Sequence, residues 1–406
     1  MERKDREGRE EKCALRPSRS LRSSYVTFVR PLDGIRILDL TRLLPGAYAT
    51  LLLADRGADV VKIEDPRGGD GMRRVGGSLR AANLYFELLN RNKRSVTLDL
   101  RSPDGGTVLD ALIAKSDVLV ESFRPSTALR LGVDAARLRA RHPRLICASL
   151  SGFGSTGPYA ERAAHDINYQ ALAGLLRARP STGSGRAEND SLTLSPSKGE
   201  PVMPGPLIGD VGAAMHAATG ILAALFQRER TGEGSTVEVS IHDAALHWSM
   251  FPSTADLEAA CYTVYETADA HWLALGALEP KFWIGFCERI GRSDLASLQH
   301  AAGPERARVM REVQAVMKSR TRDDWLAIFD DADVCLTPIY TRDETLNDPH
   351  LTARGVLVRE AGITYVTAPG ARVRPAPALG ADTDELLEAS GIDRATRDRL
   401  RSQGVI

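Results

Sequence analysis

The sequence predicts an α/β fold, with a large parallel-sheet domain and a smaller α+β domain. Three observations predict it. Short apolar runs rich in β-branched residues alternate with helical segments through roughly the first 150 residues. That rhythm is then lost, and a hairpin followed by an almost wholly helical stretch occupies about 250–340. The 406 residues are also too many for one simple core, so two domains are the default.

The elements follow in order. Ile35-Arg36-Ile37-Leu38-Asp39-Leu40 reads as the first strand. Pro45-Gly46 opens a helix through Ala54. Asp59-Val60-Val61-Lys62-Ile63 is the second strand, and Ser95-Val96-Thr97-Leu98-Asp99-Leu100 the third. Ser102-Pro103-Asp104 carries N-cap chemistry for a helix to about Lys115. Asp117-Val118-Leu119-Val120-Glu121 and Leu145-Ile146-Cys147-Ala148-Ser149-Leu150 supply strands four and five. Strands alternating with helices place helices on both faces of the sheet, a Rossmann-like arrangement. Gly212 to Gln227 is a helix of small residues, and Val237-Glu238-Val239-Ser240 is a strand with a helix running from it into Met250. Tyr262-Thr263-Val264-Tyr265 pairs with His271-Trp272-Leu273-Ala274-Leu275 as a hairpin, and helical patterning dominates from Phe282 to Phe329. Asp382-Thr383-Asp384-Glu385 reads as a capped helix start.

These elements set the expected boundaries. Residues 1–30 are polar, Arg-rich and aperiodic, and are expected to be a disordered extension or an over-long gene start. The first part of the large domain spans 31–230, with a Gly/Ser/Pro-rich flexible insertion at 179–206. A linker at 231–249 leads to the small domain at 250–344, and 345–406 returns to the large domain.

Composition narrows the partners. Hydrophobic residues at 43% and charged residues at 26% are an ordinary soluble mix. Lys+Arg and Asp+Glu are both 53, so there is no basic excess of the kind nucleic-acid binders show. No apolar run approaches ~18 residues, so no membrane span is expected. The charged first 30 residues lack the apolar core of a secretory signal. The five cysteines have no paired spacing, which suits a reduced cytoplasmic setting and small buried side chains.

The first strand runs into Thr41-Arg42-Leu43-Leu44-Pro45-Gly46, which is no GxGxxG turn, so a nicotinamide or flavin cofactor is not expected. The sequence also lacks a P-loop, HExxH, CxxC and the GxSxG elbow, and no metal site is expected.

Two places can carry proton-transfer chemistry. His165, in Ala164-His165-Asp166-Ile167-Asn168-Tyr169, follows a Gly/Pro turn and heads a helix through Leu176. The positive end of a helix disfavours an imidazolium and leaves a ring that accepts a proton. Asp210, in Leu207-Ile208-Gly209-Asp210-Val211-Gly212, precedes small residues that let a ligand approach a helix start. It equally suits an ordinary Asp N-cap. Glu279 lies before Pro280, which holds it extended and outside any helix interior. Arg124 follows the C-terminal end of a strand, where open α/β sheets bind ligands. Lys62 and Arg67 flank Glu64-Asp65-Pro66 after the second strand and suit either phosphate or solvent.

The succession His-Asp-Ile-Asn-Tyr, then Gly-Asp before a small-residue helix, then Ala277-Leu278-Glu279-Pro280-Lys281-Phe282 resembles the family III CoA-transferase (CaiB/BaiF) superfamily. It is most similar to the α-methylacyl-CoA racemase branch, and the resemblance runs from about Leu32 to the C-terminus. It implies His165, Asp210 and Glu279 as catalytic residues, with Glu279 orienting the imidazole. It implies contacts to coenzyme A and substrate at Lys62, Arg67, Thr97, Leu98, Arg124, Asp166, Asn168 and Tyr169. The activity implied is racemisation of a 2-methyl-branched acyl-CoA, with coenzyme A entering only as part of the thioester and no separate cofactor. The alternative is CoA transfer between carboxylic acids through an Asp210 acyl-enzyme. The family also implies an interlocked homodimer. Three departures stand out: Ala164 replaces the usual Gly, residues 257–262 replace a Gly-rich segment that shapes the acyl pocket, and the insertion before Asp210 is long.

Overall fold

The computed structural model describes residues 30–74, 84–176, 205–251, 259–368 and 371–406. The extension before residue 30, most of the 179–206 insertion and residues 257–258 lie outside them.

Six strands form one parallel sheet: β1 (Arg36–Asp39), β2 (Asp59–Glu64), β3 (Arg94–Thr97), β4 (Val118–Glu121), β5 (Ile146–Ser151) and β6 (Thr236–Ser240). Their order is β3-β2-β1-β4-β5-β6, the Rossmann order, with a topological switch between β1 and β4. The connecting helices are α1 (Leu43–Ala54), α2 (Leu84–Asn90), α3 (Pro103–Ile113), α4 (Pro125–Leu131), α5 (Ala135–Arg141), α6 (Asp166–Leu172) and α7 (Ile208–Thr231), with α8 (Ile241–Ser249) after β6.

The strands alternate at period two, and both faces are buried. Ile37, Val60, Val118, Val120, Ile146 and Ala148 face α1 and α7. Leu38, Val61, Ile63, Leu119 and Cys147 face a second core that includes α3 and Leu138 of α5. Each such aliphatic side chain contributes about 1.5–3 kcal/mol on burial, which fixes the strand register.

The small domain has its own core. Strands β7 (Tyr262–Glu266) and β8 (Trp272–Gly276) form the expected hairpin, and β8 also pairs with β9 (Leu336–Pro338), which the sequence reading missed. Helices α9 (Pro280–Arg289), α10 (Gly303–Met317) and α11 (Arg322–Phe329) pack on this sheet around Trp283, Phe286, Trp325 and Phe329.

The chain then passes α12 (Arg342–Leu346), α13 (Pro349–Arg354) and a hairpin of β10 (Leu357–Glu360) and β11 (Ile363–Val366). It reaches the large domain again through α14 (Thr383–Ala389) and α15 (Arg394–Ser402), whose Leu386, Leu387 and Leu400 join the second sheet core.

Three expectations need correction. Residues 231–249 are no linker, because β6 extends the sheet beside β5 and α8 packs on α6 and α7. Asp382 is the N-cap of α14 but its side chain makes no capping bond; the carboxylate instead accepts the Ser95 N–H at 2.9 Å and the Arg94 Nε–H at 3.3 Å, tying the C-terminal segment to β3. And α7, at 24 residues, is long and apolar enough by composition to cross a membrane, although half of its apolar window is buried, as in a core helix.

Candidate active site

The heads of α6 and α7 meet. Asp166, the first residue of α6, is buried at 4% exposure, and its Oδ1 accepts the backbone N–H of Asp210 at 2.9 Å. Asp210 is the third residue of α7 rather than the expected N-cap, since the helix begins at Ile208. Leu207, the actual N-cap, has no capping side chain, so a carboxylate from a different helix takes that part. The other Asp166 oxygen accepts the Gln170 amide.

Small residues make this approach possible. A methyl on Gly209 would sit 3.1 Å from Asp166 Oδ1 and 3.5 Å from Ala245 Cβ. Asp210 is thereby mostly buried beside a second carboxylate. Burial first, and then Asp166, pushes its acid up to about 7. The α7 dipole opposes this by only about 0.3–1 kcal/mol, while a shift of that size is worth several, so burial wins.

His165 is the N-cap of α6. Its backbone N–H is held by Asn168 Oδ1 at 3.0 Å in a capping-box arrangement, and the side chain is exposed. Helix α6 stops at Leu172 rather than Leu176, because Gly174 turns left-handed at φ 73°. Asp166, the chain neighbour of His165, thus makes the contact that joins the heads of α6 and α7. Tyr169 borders this contact; burial and Asp210 push the phenol up to about 12, and its hydroxyl donates to the Ala164 carbonyl at 3.2 Å. Arg124, exposed at the N-cap of α4, lies within electrostatic range of Tyr169.

A separate cleft of about 240 Å³ lies past the C-terminal ends of β1–β4, at the topological switch. It includes neither His165 nor Asp210, but Phe123 lines it, and the next residue, Arg124, borders Tyr169. Leu98 lines the cleft. Thr97 does not; its hydroxyl and N–H meet the Thr383 hydroxyl at 3.2 and 3.1 Å. Lys62 borders the cleft but is 0% exposed, with Nζ 2.9 Å from Asp70 and donating to the Thr41 carbonyl at 3.0 Å. Its charge is committed within the protein. Arg67 is exposed and paired with Asp65 at 2.9 Å. Arg42, Arg101 and Arg130 also line the cleft and were missed. The signal for two of them was available: Arg42, Arg67, Arg101 and Arg124 each follow shortly after one of the first four strands.

Glu279 is the exposed N-cap of α9 in the small domain. Its carboxylate has no hydrogen-bond or ion-pair partner among the described residues, and the structure does not pair it with His165. No group of three or more metal-ligating side chains occurs among the described residues.

A parallel sheet in this order, with a cleft at its topological switch, defines an α/β ligand-binding fold, and similarity to known proteins gives the family. Residues 32–383 match the model of CoA-transferase family III. The chain belongs to that family. The human α-methylacyl-CoA racemase is 32% identical over 400 residues, covering 92% of this chain and 97% of the relative. The succinyl-CoA–D-citramalate CoA-transferase of Chloroflexus aurantiacus is 34% identical over 349 residues, covering 81% and 83%. Among solved structures, a CAIB/BAIF family protein from Brucella suis superposes with a TM-score of 0.72 at 27% identity, covering 89% of this chain and 99% of that one. Racemases and transferases thus stand at similar identity.

Proposed function

We propose that the protein is an acyl-CoA racemase or epimerase acting at the α-carbon of a 2-methyl-branched acyl-CoA. The thioester acidifies the α-hydrogen. His165 takes that proton from one face, and protonated Asp210 delivers another to the opposite face; the reverse transfer uses the same two groups with their roles exchanged. Bare acid/base help of about 10²–10⁴-fold is too small alone. The backbone N–H groups of Asp166 and Ile167 at the head of α6 are suited to stabilise the enolate oxygen, whereas those of Asn168 and Tyr169 already donate to the His165 carbonyl.

The observation that carries this reading is that exposed His165 adjoins Asp166, whose carboxylate binds the head of α7, where burial and Asp166 push the Asp210 acid up to about 7. Phosphates of the CoA moiety would meet Arg42, Arg101 and Arg130 in the cleft, whose lining also carries Glu64, Asp65, Asp70 and Asp99. We take the working unit to be an interlocked homodimer in which the Glu279 of one chain reaches the His165 of the other. The carboxylate of Glu279, exposed and without a partner among the described residues, supports that arrangement.

The second reading is CoA transfer, favoured by the 34% identical transferase. Asp210 would attack the thioester carbonyl and expel CoA thiolate, which then attacks the aspartyl carbonyl of the resulting anhydride and releases the first acid. Incubating the protein with one enantiomer of a 2-methylacyl-CoA in D₂O, with no acceptor acid, separates the two. Wash-in of α-deuterium with loss of stereochemical purity supports the racemase. Turnover that appears only on adding an acceptor acid refutes it.

A further inference from the structure

Asp166 was expected to touch the substrate, yet its oxygens are both turned inward. Oδ1 accepts the Asp210 N–H and Oδ2 accepts the Gln170 amide, which leaves a buried carboxylate with acceptor-only geometry. Gln170 is itself 4% exposed and also donates to the Pro206 carbonyl at 3.1 Å. One glutamine thus fixes Asp166 and the entry of the chain into α7 together.

Among the described residues, no cation compensates this pair of carboxyls. Helix α6 brings His165, Asp166 and Tyr169 to this corner. Helix α8 turns Ile241, Ala244, Ala245 and Trp248 toward Gly209 and Gly212, none of them titratable. The titratable residues of α8 are His242, which packs on Phe153; Asp243, whose side chain is 73% exposed; and His247, which stacks on His216 of α7. Arg124 acts on Tyr169. The charge facing Asp210 is therefore that of Asp166, which agrees with the direction of the Asp210 shift.

We propose that Asp166 is a positioning residue that fastens the head of α7 and tunes proton transfer at Asp210 by a fixed neighbouring negative charge. The proposal rests on the reading of Asp210 as the proton-transfer acid. Two like charges this close hold one proton more tightly than either does alone. A protein that needs its acid protonated near neutrality gains that from a carboxylate it never exposes to substrate.

The test measures Asp210 directly. In protein carrying ¹³C-labelled aspartate, the Asp210 carboxyl band is assigned by its loss in Asp210→Asn and titrated by infrared spectroscopy. Asp166→Asn keeps the shape and an oxygen for the Asp210 N–H but removes the charge. The Asp210 midpoint is expected to fall by about one pH unit or more, and the limb of the pH–rate profile that reports Asp210 moves with it. Gln170→Lys is the second variant, because it keeps the Asp166–Asp210 bond and neutralises the charge from the far side. It is expected to lower the midpoint too. An unchanged midpoint in either folded variant overturns the proposal. If the wild type exchanges no α-proton at all, the racemase reading fails, while the coupling between the two carboxyls is still read from the titration.

Discussion

The indole nitrogen of Trp248 occupies the space above Gly212, 2.7 Å from where a Cβ on that glycine would lie. Helices α7 and α8 therefore cross in contact at the same turn that carries Asp210. We expect Gly212→Ala to push the indole aside and to lower stability by about 1–3 kcal/mol. Urea unfolding checks this, and a variant as stable as the wild type would show that the indole moves away freely.

The acid of Asp210 gives a pH signature. Its folded value is about 7, against 3.8 ordinarily, because of burial and Asp166. Between these values the folded protein keeps a proton that the unfolded chain releases. The stabilisation is thus complete below about pH 4 and is lost as pH rises through about 7. Asp210→Asn cannot ionise, so its stability relative to wild type should grow across that window by up to about 4 kcal/mol. Urea midpoints at several pH values test this; a difference that stays flat with pH contradicts it.

His165→Ala should leave the fold intact, since the side chain is exposed. Its α-deuterium wash-in should drop by about 10²-fold or more. Unimpaired exchange would remove His165 from the mechanism.

Lys62 and Arg101 should separate cleanly. Lys62→Met strips a partner from buried Asp39 and Asp70, and we expect a loss of about 3–5 kcal/mol. Arg101→Ala, on an exposed side chain at the cleft, should instead raise KM for acyl-CoA with little change in stability. Equal KM effects in both would mean that Lys62 reaches the ligand.

Co-expressed His165→Ala and Glu279→Ala chains should recover part of the wild-type activity if the site is shared across subunits, because one site of each mixed dimer keeps both residues. Verified mixed dimers without recovered activity would count against the interlocked arrangement.

Much of the sheet was legible because strand alternation is local: Leu38 and Ile37 take opposite faces with no help from distant residues. The site residues His165 and Asp210 were legible as types in their local setting, but the start of α7 was not. Four residues earlier than expected, it depends on Asp166, a long-range partner invisible to local pattern. Lys62 was misplaced for a related reason. It lies inside β2, as the strand reading had it, but neighbouring strands and loops close over it and Asp70 takes its charge. The short β9 lacks length, and its last residue is a proline, so it carries no strand signal of its own.

The ties between β3 and the segment at Asp382 and Thr383 join residues 287 and 286 positions apart. During synthesis, the flank of β3 that these residues cover stays bare until the ribosome has made almost the entire chain. The small domain, whose core residues lie between Ala259 and Leu336, has all its parts earlier. Closing so long a loop is slow, and an unfinished parallel sheet exposes apolar surface while it waits. The folding order is thus opposite to the sequence order: the inserted domain matures first, and the domain that begins the fold is the last to be completed.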